Sequence, residues 1–350
     1  MFKELREFER PQGGDLRLPT VTPAFCVPVL QQLAYVFLGR PRCIPAMVVA
    51  GGVLVDGTPV TGAGDTHSAA LVRLAGEAAE QLGLRAVVPG LAKEGPIEAR
   101  GFAGQTVVQV AREILPVADT ETAGFSEGLA AHTDAMAAQR HGALELFERD
   151  AAAHWWAGIT QAVDLLGVET LVTEVLGARQ SRHTRVLDVT CDTGVPVVVA
   201  ASFDESGSGF CFGAAAGGTL QAAATSALRE LGASEFGQLL EQSRGGTAAQ
   251  TSGALTVETL TLDALDALFV ARKVPLETQF QVRGQISEGR WPKVFAANGI
   301  GIVDLGCVAG QFWVIKAVSA TLQPGRETQV CQRFQTALLG TKRRTQGPLY

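Results

Sequence analysis

Between Ser126 and Trp156 the chain reads SEGLAAHTDAMAAQRHGALELFERDAAAHWW, with Glu145, Glu148, Arg149 and Asp150 crowded into its later part. A short glycine-containing turn at Ser126-Glu127-Gly128 opens the stretch, and the alanine-rich run behind it predicts one long helix. Positions three and four apart share a helical face, so Glu145, Glu148 and Arg149 converge on one point. Two carboxylates and a guanidinium meeting there could hold a divalent metal and a phosphate together. The plainer alternative is an amphipathic helix with these charges on its solvated side, which is common for such triplets. The run is otherwise nearly free of acid, and His154-Trp155-Trp156 follow directly.

The same arrangement occurs earlier. GAGDTHSAALVRLAGEAAEQLGL starts in a short glycine loop and becomes a helix from about Ser68, with Glu77 and Glu80 again three apart. Ala70 to Glu80 and Ala138 to Glu148 share the pattern A-x-x-x-x-x-x-E-x-x-E, with Gln81 in the place of Arg149. A third copy of strand, glycine-rich loop and alanine-rich helix lies at 209–236, carrying Ser226 and Glu230.

Around these helices the chain alternates. Residues 1–24 read as an irregular, proline-bearing lead segment, and 25–38 as a buried helix or strand-helix junction. Residues 44–57 predict a hairpin with Gly51-Gly52 in its turn. The short apolar runs of 86–118 give two or three strands. Residues 185–203 give two more around Asp192-Thr193-Gly194, and 297–324 two flanking a turn. A mixed α/β protein follows, and no linker divides it.

Composition excludes several classes. With 350 residues, 47% hydrophobic and 18% charged, the chain can bury a substantial core. A formal net charge of -6 without a basic block gives no sign of nucleic acid, and no apolar run is long enough to span a membrane. The N-terminus lacks the apolar core of a secretion signal, which points to the cytoplasm. The six cysteines (Cys26, Cys43, Cys191, Cys211, Cys307, Cys331) form no CxxC pair and read as buried thiols in a reducing compartment. Neither they nor the dispersed histidines suggest a zinc or iron site.

The SxGLAA lead-in, the ExxERDA core and the aromatic pair behind it resemble the central motif of the YcaO family. Supporting segments occur in the same order over roughly 45–325: the glycine loop and helix with Glu77 and Glu80, the DxTxDxG-like turn, the SxxxE helix with Ser226 and Glu230, and the closing Asp-Leu strand. The resemblance implies one composite domain of mixed β-sheets whose alanine-rich helices carry ExxE(R) motifs, preceded by residues 1–44 and followed by a tail at 326–350. It implies ATP and Mg²⁺ as cofactors, with Glu77, Glu80, Glu145 and Glu148 as metal ligands. Ser126, Ser226, Glu230 and Arg149 complete the nucleotide site, and His132 is the candidate general base.

The implied reaction is cyclodehydration of a ribosomally made precursor peptide to thiazoline or oxazoline rings. The resemblance further implies a leader-binding partner protein, a flavin dehydrogenase in the same complex and a homodimer. Some expected polar residues are replaced. Ala130, Thr133 and Ala137 stand where Ser, Asn and Glu are usual, Ala63 where Lys often stands, Arg73 in place of a Ser, and Ala233 in place of a Gln. Two alternatives therefore stay open: a non-catalytic scaffold or peptide-binding subunit, and an enzyme forming thioamides or amidines.

Overall fold

A computed structural model describes residues 2–11, 14–91, 97–102, 107–110, 126–179, 182–205, 209–243, 272–319 and 321–322. The described residues form three sheets. The first is an antiparallel meander of β1 (Phe2–Glu9), β2 (Leu33–Pro41), β3 (Val48–Leu54) and β4 (Pro59–Gly64), with a one-turn helix α1 (Val27–Leu30) between β1 and β2. The second collects β5 (Ile97–Gly101), β6 (Val107–Val110), β7 (Leu129–His132), β13 (Ile300–Val308) and β14 (Phe312–Ser319) in the order β6-β5-β13-β14-β7. The third runs β11-β10-β9-β8-β12, from β8 (Val163–Leu166), β9 (Arg182–Asp188), β10 (Val197–Asp204), β11 (Cys211–Ala216) and β12 (Arg272–Pro275), and β12 pairs with β8 in parallel.

One device recurs in all three sheets. The end strands β4, β7 and β11 each run through a short turn into a long alanine-rich helix: α2 (His67–Leu91), α3 (Ala135–Trp156) and α5 (Leu220–Ser243). Each helix starts on a side-chain cap that satisfies an amide its own ladder leaves over. Thr66 Oγ1 accepts from the Ala69 amide (3.1 Å), Asp134 Oδ1 from Ala137 (2.7 Å) and Thr219 Oγ1 from Ala222 (3.0 Å). Alanine lets these helices lie close to the sheets. Ala70, Ala78, Ala138, Ala151, Ala223 and Ala227 are all fully buried. α2 bridges the first and second sheets, α3 the second and third, and α5 lies on the third and reaches β4. The three helices therefore share the centre of the molecule. Shorter helices α4 (Glu169–Leu176), α6 (Leu276–Arg283) and α7 (Trp291–Ala297) lie outside them.

Several sequence expectations change. Gly51 and Gly52 lie inside β3, paired on both sides, and the turn falls at Asp56-Gly57 instead. The Phe37 ring occupies the space a Cβ on Gly51 would need (2.2 Å), so this glycine serves packing across the sheet rather than a turn. The lead segment is not irregular throughout, because residues 2–9 form β1. Its apolar residues do not alternate, so the strand rests on pairing with β2 and on Phe2 packed between Phe37 and Phe236. The central stretch is not one helix from its turn onward: β7 comes first, and α3 begins only at Ala135. The region 86–118 starts as the last turns of α2 before two strands, and its residues 111–118 lie outside the described residues, as does the tail at 326–350. Of the thiols, Cys307 is exposed and Cys43 half-buried, and Cys331 lies outside the described residues. The junction at 25–38, the strand pairs at 185–203 and 297–324, and the strand-loop-helix at 209–236 stand as expected. Among the described residues no helix is long and apolar enough to cross a membrane.

Candidate active site

The acidic faces of α2, α3 and α5 open onto one cleft with two lobes. The first lobe, about 800 Å³, is walled by Glu77, Glu80, Arg73, Thr133, His132 and Arg229. The second, about 740 Å³, is walled by Glu145, Glu148 and Arg149 and by the run from Phe212 to Gly218. His141, Ser226, Ala233 and Glu230 line both and mark where the lobes meet. The two ExxE pairs and the SxxxE pair, far apart in sequence, are thus joined in one concave surface.

The strand β7 explains how two of the carboxylates are aimed. Its backbone is held between α2 and α3: Glu80 Oε1 accepts from the Ala131 amide (3.0 Å) and Glu145 Oε2 from the Gly128 amide (2.9 Å). One oxygen of each carboxylate is committed to the strand. Arg149 sits between its helical neighbours, 3.3 Å from Glu145 and 3.6 Å from Glu148. Beneath them Lys316 projects from β14, only 3% exposed, and donates to the Glu127 carbonyl. Burial pulls this lysine down to about 8, against the pull of Glu145 and Glu127.

Gathering acid in a concave wall raises its proton affinity. Glu77 is pushed up to about 7 by burial and by Glu145 and Glu230. Glu148 is pushed up to about 8, chiefly by burial, with Arg149 opposing and Glu145 adding. Glu80 is raised by burial, Glu77 and Glu145, and Glu230 by burial and Glu145 against Arg149 and Arg73. Yet the Glu148 side chain keeps 16% of its surface and Glu230 is exposed, so these groups line a wet cleft and not a sealed core. Acid of high proton affinity within reach of solvent is what a cation site offers before its cation arrives.

Do these residues suit Mg²⁺? As the side chains stand, no three Asp, Glu, His or Cys groups among the described residues close on a single point. Mg²⁺ does not require that. It keeps several waters and is held by one or two carboxylates together with substrate phosphates, and carboxylates on facing walls leave room for both.

The remaining expected residues are placed as follows. Ser226 and Glu230, one helical turn apart on α5, stand at the junction of the lobes. His132 ends β7 in the first lobe, where its Nδ1 accepts from the Asp134 amide (2.9 Å) and its ring meets His141 edge-on. Acceptance at Nδ1 places the ring proton on Nε2. His141 is pushed down to about 4 by its surroundings, by His132 and by Arg140. Ser126 lies in the exposed turn before β7 and lines neither lobe. Sequence reasoning missed Lys316, Arg73, Arg229 and His141. Lys316 had a signal, as the single charge within the apolar strand FWVIKAVS.

The family model described as "YcaO cyclodehydratase, ATP- and Mg²⁺-binding" matches residues 115–288. The fold is similar to that of YcaO from Methanopyrus kandleri, solved with AMPPCP and Mg²⁺, at TM-score 0.63 and 19% identity over 86% of this chain and 89% of that one. It is also similar to a chain of the E. coli microcin synthetase McbBCD complex, at TM-score 0.63 and 13% identity over 82% and 88%. A heterocyclase solved with substrate and cofactor follows, at TM-score 0.55 and 17% identity over 85% of this chain and 50% of that one. No curated protein matches.

Proposed function

The chain belongs to the YcaO family, and on that premise we propose that it is an ATP- and Mg²⁺-dependent cyclodehydratase of a ribosomally made peptide. The observation that carries the proposal is the meeting of Glu77, Glu80, Glu145, Glu148, Arg149 and Glu230 around one two-lobed cleft. A side-chain thiol or hydroxyl of the peptide attacks the carbonyl carbon of the preceding residue. The carbonyl oxygen takes the terminal phosphoryl group of ATP and departs as phosphate. Loss of the nucleophile's proton and of the amide proton leaves an azoline ring, one water lighter than the peptide. An amide oxygen is otherwise a very poor leaving group, which is why ATP is consumed.

Phosphoryl transfer of this kind depends on positioning and charge more than on covalent work by the protein. Glu77, Glu80, Glu145 and Glu148 would hold Mg²⁺, which supplies neutralisation of the phosphates when bound. Arg149, held in place by Glu145, presents its planar fork to a phosphate, a geometry Lys does not match. Ser226 and Glu230 stand where the two lobes join, suited to the passage from nucleotide to peptide. His132 is the candidate general base, a role that needs the tautomer with Nε2 unprotonated and Nδ1 released from the Asp134 amide. A leader-binding protein, a flavin dehydrogenase and a second copy of the chain complete the proposed complex. The E. coli relative is itself solved as a synthetase complex.

One observation favours a second reading. Ala63 and Ala233 line the first lobe where polar side chains are usual in the family, so a subunit that binds peptide without turning over ATP competes with the enzyme. Calorimetry with MgATP separates the two. Tight binding lost in Glu148→Ala and Arg149→Ala supports the enzyme, and no binding, alone or with the partner protein, supports the scaffold. Product mass then separates the chemistries: azoline formation loses 18 Da (one water), whereas replacement of oxygen by sulfur adds about 16 Da to the amide it converts to a thioamide.

A further inference from the structure

The second lobe has a wall of an unusual kind. It is lined by every residue from Phe212 to Gly218 in unbroken succession. A strand shows alternate residues to each of its faces, so a cavity touching consecutive residues touches the strand's edge. Among the described residues that edge is open in the sheet order, because β11 is an end strand there and pairs only with β10. The register says which groups point out of it. The Val189 amide donates to the Val197 carbonyl and the Gly217 amide to the Pro196 carbonyl, so Pro196, Val198 and Ala200 face β11. Their partners Gly217, Ala215 and Gly213 are therefore the residues bonded to β10, while Ala214 and Ala216 turn amide and carbonyl toward the lobe. Beyond the ladders, no hydrogen bond among the described residues reaches Ala214 or Ala216.

The chemistry of this wall is that of a backbone seeking a backbone. Buried amide and carbonyl groups need partners, and Ala214 is only 5% exposed. From Gly213 to Gly218 the side chains are hydrogen or methyl, so nothing holds a second chain at a distance. The facing wall is a single helical face, His141, Leu144, Glu145 and Glu148, with Arg149 beside it. We propose that the substrate peptide binds in extended form as an added strand along the β11 edge, bonded to Ala214 and Ala216, so that its backbone passes before Glu148 and Arg149. This rests on the cyclodehydratase reading and deepens it. It implies tolerance of peptide sequence, because main-chain bonds supply the attachment whichever side chains alternate along the strand.

The test uses the full-length protein and a fluorescein-labelled dodecapeptide alternating glycine with serine and cysteine, titrated by fluorescence polarisation. Two further peptides carry N-methyl groups on alternate residues, one in each register. Strand addition engages only one set of amides, so one methylated peptide should bind at least about tenfold more weakly and the other within about twofold. Ala216→Pro removes an outward amide and no bond to β10, and should weaken the probe about fivefold or more while leaving thermal stability close to wild type. Equal affinity of both methylated peptides, undiminished binding by Ala216→Pro, or no binding of the probe at millimolar concentration would each overturn the proposal. The methylated peptides are titrated against the wild-type protein, so the proposal stays refutable even where the proline variant misfolds. MgATP calorimetry on the same preparation keeps the two readings apart. Retained nucleotide binding with failed peptide arms sinks only the strand addition, and absent nucleotide binding sinks the parent reading.

Discussion

Replacing Glu148 by glutamine should make the metal-free protein more stable and the ligand-bound protein less so. The carboxyl of Glu148 is held at about 8, against an ordinary 4.5, chiefly because protein surrounds it, with Glu145 and Glu230 adding to the effect and Arg149 3.6 Å away opposing it. The folded state binds this proton more tightly than the unfolded one. Its stabilising contribution is therefore complete below about pH 4.5 and is lost as pH rises through about 8. At about 1.4 kcal/mol per pH unit, the loss by pH 7 is on the order of 3 kcal/mol. Water reaches the cleft, so about half of that, ~1.5 kcal/mol, is the figure to test.

Glutamine keeps the shape and never takes the charge. In EDTA the variant should match wild type near pH 4.5, melt about 3 °C higher at pH 7 and about 5 °C higher at pH 8.5, where the loss is larger, given roughly 2 °C per kcal/mol in a chain of this size. MgATP should then reverse the order. A ligand bound a hundredfold above its dissociation constant stabilises the wild type by about 2.7 kcal/mol, and the variant should gain little. Scanning calorimetry across pH in both conditions decides it. If the variant melts no higher than wild type in EDTA at pH 8.5, the acid of this wall is not under the repulsion described, and the argument for a cation site there fails.

Three other outcomes follow from the structure. Arg149→Ala should weaken MgATP binding by at least tenfold, and Arg149→Lys should restore only part of it, because the fork between Glu145 and the phosphate is lost; full recovery by lysine would reduce Arg149 to a point charge. Asp188→Asn should cost about 3 kcal/mol in denaturant unfolding. Asp188 is 1% exposed and accepts from Gln279 (2.6 Å) and Arg283 (2.7 Å), tying α6 to β9, and a loss under 1 kcal/mol would mean that these two bonds contribute nothing. Gly213→Ala should yield little soluble protein, since its methyl would come 2.2 Å from the Leu231 amide nitrogen of α5; a variant melting within 2 °C of wild type, roughly 1 kcal/mol, would contradict that packing.

What the sequence made legible was local. The ExxE spacing of Glu77 with Glu80 and of Glu145 with Glu148 depends only on helical geometry, and alanine-rich segments declare their helices wherever they pack. The strand pairs around Gly194 and Gly310 carry their turns in their own residues, both glycines lying at positive φ. The misreadings share one cause, a contact with a distant part of the chain. Gly51 looks like a turn because the ring that requires it, Phe37, is supplied by another strand. β1 carries no alternation because its partner strand and two phenylalanines hold it. The hold of Glu80 on Ala131 spans fifty-one residues, and no window along the chain contains both.

The same principle bears on the apparent losses in the nucleotide lobe. Taken along the chain, Ala63 is a missing cation and Arg73 a misplaced one. In the fold the Arg73 guanidinium donates to the Ala63 carbonyl, so the positive charge stands at the loop although it is carried by the helix. An anion responds to charge at a point in space and not to its position in sequence, and these two departures amount to one exchange. Arg229 adds a second cation to that lobe and Arg149 one to the other. Against Glu77, Glu80, Glu145, Glu148 and Glu230 these three arginines leave a formal excess of two negative charges with all five acids ionised. A wall of that sign repels a bare triphosphate and admits one only with its metal or with protons taken up by the acids. Nucleotide binding should therefore be Mg²⁺-dependent at pH 8. Binding in EDTA should grow as pH falls toward 6, where Glu77 and Glu148, held at about 7 and about 8, are protonated. Calorimetry at the two pH values reads this directly, and metal-free binding of equal strength at both would show that the acidic wall does not face the phosphates.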